Sequence, residues 1–172
     1  MLYNKILDVQ SDESSITEPV TLQEAKDFCR IDISTDDDLI SMFITAARKM
    51  CEAYTNIGFV QREFTVQLSN PNGGIYLPYG PIEADSVELY DADGDEIEAA
   101  DYELSTGDFV QILEPWDERM KAVYTGGYET LPAQLKSGLL NTILYLYDNR
   151  ADGADSIGPI AKMILKPFSR VV

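Results

Sequence analysis

The sequence predicts an α+β protein: a helical bundle of two N-terminal helices plus a long C-terminal helix, with an inserted antiparallel β subdomain. Three observations carry this reading. Apolar residues recur at helical spacing in two separated stretches, "LISMFITAARKMCEAY" and "LPAQLKSGLLNTILYLY". Between them, from Val60 to Thr125, the period falls to two. Turn residues mark each change of period, Gly58 at the first and "TGGY" (Thr125 to Tyr128) at the second.

Residues 1–19 read as an N-terminal arm, in which "QSDESSITEP" has the composition of a linker. The central domain covers residues 20–155, with helices within 21–57 and 132–150 and the β insertion at about 60–126. "TLQE" is a capping box, with Thr21 as N-cap and Glu24 three residues later, and it predicts a short helix to about Arg30. Leu22, Ala25, Phe28 and Cys29 share one of its faces. The next helix is predicted to be capped at Ser34 or Thr35, with Asp36, Asp37 and Asp38 placed where the helix dipole favours negative charge. Leu39, Ile40, Phe43, Ile44, Ala47, Met50, Cys51 and Tyr54 then form its apolar stripe, and Gly58 ends it.

In the β insertion, "REFTVQL" puts Phe64, Val66 and Leu68 on one face. "PNGG" predicts a turn, and the prolines of "IYLPYGPI" suit an edge or a strand end. "SVELY" and "DEIEA" flank an Asp93-Gly94 turn, and "DYELS", "FVQIL" and "KAVYT" complete the set. The long C-terminal helix carries a stripe of Leu135, Leu139, Ile143, Leu146 and Tyr147, with Pro132 suited to its first turn. Leu140, Leu144 and Tyr145 lie off that stripe, so this helix must be covered on more than one side, by its own domain or by a second subunit. "RADGADSIGP" reads as a linker. Residues 156–172 form a C-terminal arm in which apolar Ile160, Met163, Ile164, Leu165 and Phe168 alternate with basic Lys162, Lys166 and Arg170. That arm is expected to be mobile in the free chain and to dock on an acidic surface of a partner or an adjacent copy, with packing against its own subunit as the alternative.

Composition narrows the chemistry. The chain has no histidine, which excludes Ser-His-Asp triads, Cys-His dyads and His-containing zinc sites. Its two cysteines, Cys29 and Cys51, fall at apolar helical positions and are expected as buried free thiols. "DADGDE" (Asp91 to Glu96) looks like a calcium loop but fails when counted. With Asp91 at position 1, position 6 is Glu96 and position 12 is Tyr102; with Gly94 at position 6, position 12 is Ala100. A hairpin turn explains it better. "TGGY" lacks the lysine of a phosphate loop. Trp116 suits a core or an interface equally. No catalytic constellation, metal site or cofactor site is marked out, and the chain is expected not to be an enzyme.

Net charge is −17 and unevenly spread. Residues 61–130 hold 3 basic and 16 acidic side chains, whereas residues 131–172 hold 5 basic and 3 acidic. Such a chain should not grip DNA, whose affinity for proteins comes largely from phosphate neutralisation. No apolar run reaches the length of a membrane span, and the N-terminus lacks a signal-peptide layout, so a soluble, cytoplasmically made protein is expected.

The ordered set "VTLQEAKDFCRID", "LISMFITAARKMCEAYTN", "YLPYGPI", "VELYDADGDE", "YTGGYETLPAQLKSGLL" and "YLYDNRA" resembles the gp6-like head–tail connector, or adaptor, proteins of tailed bacteriophages over about residues 20–150. The resemblance implies a structural virion protein at the head–tail junction, assembled in the bacterial host cytoplasm. It implies a homo-oligomeric ring, a dodecamer, that meets the portal protein on one side and a tail or neck-completion protein on the other. DNA would pass through without specific binding, and no membrane is involved. Twelve copies would place roughly −200 charges around the duplex, which repels phosphate and lets it slide. Leu140, Leu144, Tyr145, Ile160, Lys162, Met163, Ile164, Lys166, Phe168 and Arg170 are then the candidate portal or subunit interface. Two rivals are an acidic DNA-mimic inhibitor of a nucleic-acid-binding enzyme and a carboxylate-based hydrolase.

Overall fold

The computed structural model describes residues 5–13, 16–69, 75–105, 107–113, 119–151 and 156–170. The predicted "PNGG" turn, Trp116, Thr106 and the linker around Gly153 lie outside the described residues. Two compact units are present, one drawn from Met1–Ile16 and Gln61–Tyr128, the other from Thr17–Val60 and Glu129–Val171.

The first unit is the β unit. Its strands are β1 (Lys5–Ser11), β2 (Arg62–Ser69), β3 (Ile75–Tyr76), β4 (Glu88–Tyr90), β5 (Glu96–Ile97), β6 (Gln111–Ile112) and β7 (Arg119–Gly126). Five form an antiparallel sheet in the order β1-β2-β7-β4-β5, and β3 and β6 form a second, two-stranded sheet. As the alternation predicts, Phe64, Val66 and Leu68 of β2 are buried, beside Met120, Ala122 and Tyr124 of β7. Ile75, Leu77, Ile82, Val87, Leu89, Ile97, Val110 and Ile112 complete this core. The Tyr124 hydroxyl donates to the Pro78 carbonyl at 2.7 Å, so the one buried polar atom of that ring is satisfied. Gly126 lies where an added Cβ would meet the Tyr79 carbonyl oxygen at 2.8 Å, so the strand must be bare there.

Two expectations need correction in this unit. Residues 1–19 do not read through as an arm, because Lys5–Ser11 is an edge strand of the main sheet. "DYELS" forms no strand; a 3-10 turn occupies Ala99–Asp101 and Leu104 makes only an isolated bridge to Ile112.

The second unit is helical, with α1 (Leu22–Cys29), α2 (Asp37–Thr55), α3 (Ala133–Asp148) and α4 (Pro159–Leu165). The capping box of α1 is present as predicted: the Glu24 amide donates to Thr21 Oγ1 at 3.2 Å and the Thr21 amide donates to Glu24 Oε2 at 2.9 Å. α2 starts later than predicted, with Asp36 and not Ser34 or Thr35 at its cap position, and ends on Asn56 in the left-handed conformation before Gly58 is reached. α3 packs against α1, α2 and α4. The sequence reading missed α4 as a helix of this unit. Ala161 and Leu165 are buried, and residues 156–170 pack on their own unit instead of standing free.

Candidate interaction surfaces

α4 rests on α3 because two glycines let it. A Cβ at Gly138 would lie 2.5 Å from Leu165 Cδ2, and one at Gly158 would lie 2.6 Å from Tyr145 Cγ. Gly158 also has φ of 77°, which favours glycine. Thr142, buried on α3, donates to the Gly138 carbonyl at 3.0 Å and sits 3.3 Å from Cys51 Sγ on α2. The segment then ends against α2, where the Arg170 amide donates to the Thr55 carbonyl at 2.9 Å and Asn56 Nδ2 donates to the Arg170 carbonyl at 2.6 Å.

The structure divides the candidate interface residues. Leu140, Leu144 and Tyr145 are half-buried, and Leu144 and Tyr145 line a cavity of about 130 Å³ with Ile157, Gly158 and Ile160. The chain's own C-terminal segment therefore covers part of the surface that the sequence left open. Ile160 (57% exposed), Met163 (72% exposed), Lys162 and Lys166 are exposed, while Ile164 and Phe168 are half-buried. Arg170 is exposed but is tied to α2 through its backbone.

α2 holds a feature that sequence reasoning missed. Arg48 is 1% exposed and its Nε donates to Glu18 Oε2 at 2.9 Å, while Nη1 donates to Glu52 Oε2 at 3.1 Å. The other Glu52 oxygen, Oε1, accepts the Phe59 amide at 2.8 Å, and Thr45 Oγ1 donates to Glu18 Oε1 at 2.9 Å. The i, i+4 spacing of Arg48 and Glu52 was a signal for the pair. Its burial was not visible, because a charged pair on a helix ordinarily faces water. The network fixes the segment before α1 and the segment after α2 to one helix.

The predicted α2 stripe also splits. Ile40, Ile44, Ala47 and Cys51 are buried, whereas Leu39, Phe43, Met50 and Tyr54 are only half-buried. Both cysteines are free, Cys51 buried and Cys29 half-buried. Burial pushes the Cys51 thiol up to about 12, and burial raises Cys29 as well. The Tyr147 hydroxyl is also raised, chiefly because it donates to Asp36 Oδ2 at 2.6 Å.

In the β unit "DADGDE" is the predicted hairpin turn between β4 and β5. Asp91 Oδ1 accepts the amides of Asp93, Gly94 and Asp95, each at 2.9 Å, and the Asp95 carbonyl accepts the Asp91 amide at 3.0 Å. Gly94 has φ of 92°, which explains why glycine stands there. That carboxylate oxygen is thus used inside the turn. Among the described residues no group of three or more His, Cys, Asp or Glu is placed to hold a metal ion. No described helix is long and apolar enough to cross a membrane.

The fold is one found in gene transfer agent (GTA) particles. It is similar to a chain in "Neck of empty GTA particle computed with C6 symmetry", with a TM-score of 0.74 at 20% identity, covering 96% of this chain and 97% of that one. A chain in "Virion of native gene transfer agent (GTA) particle" gives 0.74 at 19% identity, with 95% and 96% covered. One in "Neck of native GTA particle computed with C12 symmetry" gives 0.62 at 18%, with 95% and 96% covered. The chain itself belongs to the phage gp6-like head-tail connector protein family, whose profile matches residues 19–107. No curated protein sequence matches it.

Proposed function

We propose that this chain is a structural head–tail connector that forms a ring in the neck of a tailed phage, prophage or gene transfer particle. The ring sits beneath the portal, extends the DNA channel and gives the tail a docking surface. Membership of the connector family carries the reading. The likeness over nearly the whole chain to chains from necks computed with six-fold and twelve-fold symmetry supports a ring, and the twelve-fold case favours a dodecamer. An acidic lining suits a channel through which DNA must slide, and residues 61–130 supply 16 acids against 3 cations. Leu140, Leu144, Tyr145, Ile160, Lys162, Met163, Ile164, Lys166, Phe168 and Arg170 remain the candidates for contact with the portal or an adjacent copy. Family membership favours this reading over an acidic DNA mimic.

Deleting the gene tests it. Without the chain, filled heads and free tails should accumulate separately, and expression in trans should restore tailed particles. Normal tailed particles from the deletion strain would refute the function.

A further inference from the structure

Two surfaces of the helical unit are left at least partly exposed, and their chemistries are opposite. The first is a flank of α2. Leu39, Met42, Phe43, Ala46, Met50 and Ala53 fall on one side of the helix, and none of them is buried. Met42 is 57% exposed. Ala53 is exposed as well and the other four are half-buried, so an apolar helix side is left partly open where a polar one is usual, which implies a further cover. Exposed Asp38 stands in the first turn of α2 and exposed Asp32 in the loop before it, while Lys49 is engaged within the chain. The second surface is the outer ridge of α4, where exposed Ile160 and Met163 stand beside exposed Lys162 and Lys166, with no acid anywhere after Asp155.

Copies of a chain with net charge −17 repel one another unless cations of one copy meet acids of the next. α4 is one place where exposed cations and exposed apolar side chains coincide. We propose that the α4 ridge of one copy lies on the α2 flank of the next, with Ile160 and Met163 against the apolar side chains and Lys162 and Lys166 toward Asp32 and Asp38. The two patches differ, so the contact is heterologous: it propagates from copy to copy and closes a ring where the rotation closes. This rests on the ring reading above and names the surfaces that join.

Disulfide trapping in assembled particles tests the contact. Met42→Cys and Met163→Cys are introduced together in a Cys29→Ser background, and purified particles are mildly oxidised. The double variant should give a ladder of covalent multimers of this chain, and each single variant should give none. Necks that contain a ring but yield no ladder would overturn the contact while leaving the function intact, as would Met163→Cys capturing the portal instead. Wild-type necks that lack the chain would sink the ring reading itself. A second arm uses charge. Lys162→Glu with Lys166→Glu, or Asp32→Lys with Asp38→Lys, should each lower incorporation into particles about tenfold, since several exposed pairs are reversed together. Co-expressing the two variants should restore it, because every contact then pairs opposite charges. Unchanged incorporation of either variant alone, or no recovery on co-expression, would overturn the proposal.

Discussion

Removing the Glu52 carboxylate should be among the most damaging single changes in the helical unit. Glu52→Ala deletes the carboxylate 3.1 Å from Arg48 Nη1 and the acceptor 2.8 Å from the Phe59 amide. Arg48 is then left 1% exposed with Glu18 Oε2 at 2.9 Å, and the Glu18 side chain is 24% exposed. Breaking a buried pair by removing one partner costs about 3–5 kcal/mol, because the surviving charge stays desolvated. That is a large part of the roughly 5–15 kcal/mol that holds a domain folded. Glu52→Gln keeps an oxygen for the Phe59 amide and should cost less, about 1–3 kcal/mol. Arg48→Met combined with Glu52→Gln should recover part of the Glu52→Ala loss, since no buried charge remains and Glu18 can reach water. Urea unfolding followed by helical circular dichroism, with hydrogen exchange at α2 amides to isolate this unit, gives the numbers. A Glu52→Ala loss below about 1 kcal/mol would mean that the network is hydrated and that the burial argument fails.

Three further outcomes follow from the structure. The Cys51 thiol is raised from 9.0 to about 12 by burial, so above pH 9 the unfolded chain gives up a proton that the folded chain keeps. Stability should therefore fall as pH rises from about 9 to about 12, by up to about 1.4 kcal/mol per pH unit from this group, and Cys51→Ser should flatten that slope in alkaline urea titrations. Gly138→Val should push against Leu165, 2.5 Å from the new Cβ, and speed hydrogen exchange across Pro159–Leu165 while α1 amides stay protected; unchanged exchange would show that the α3–α4 approach has slack. Thr21→Ala removes one half of the α1 capping box and should cost about 1 kcal/mol in the urea assay.

What was legible in the sequence was local. The capping box at Thr21 and Glu24, the alternation of Phe64, Val66 and Leu68, and the Asp93-Gly94 turn each depend on residues within a few positions, and each forms as expected. β1 escaped because its register shifts between Ile6 and Asp8. Ile6 and Val9 both pack toward the core, three residues apart, so the period of two is broken within the strand. The acidic turn was visible, but the use of Asp91 to hold it had no separate signal. α4 was half legible. Its apolar and basic residues signalled docking, but the partner of Leu165 is the bare surface at Gly138, and a missing side chain announces nothing along the chain. Of the candidate interface, Ile160, Lys162, Met163, Lys166 and Arg170 stand exposed, while Leu39, Phe43 and Met50 of the α2 flank were counted with the core stripe because they are indistinguishable in sequence from the apolar residues one face over.

The central claim is that copies of this chain form a closed ring at the head–tail junction, and cryo-electron microscopy of purified tailed particles measures that directly. The account predicts a rotationally symmetric ring between portal and tail into which the helical unit and the β unit of this chain both fit, one copy per repeat, with α4 of each copy against α2 of the next. A neck whose density holds other proteins at that level, with this chain absent or bound as isolated copies, would contradict it.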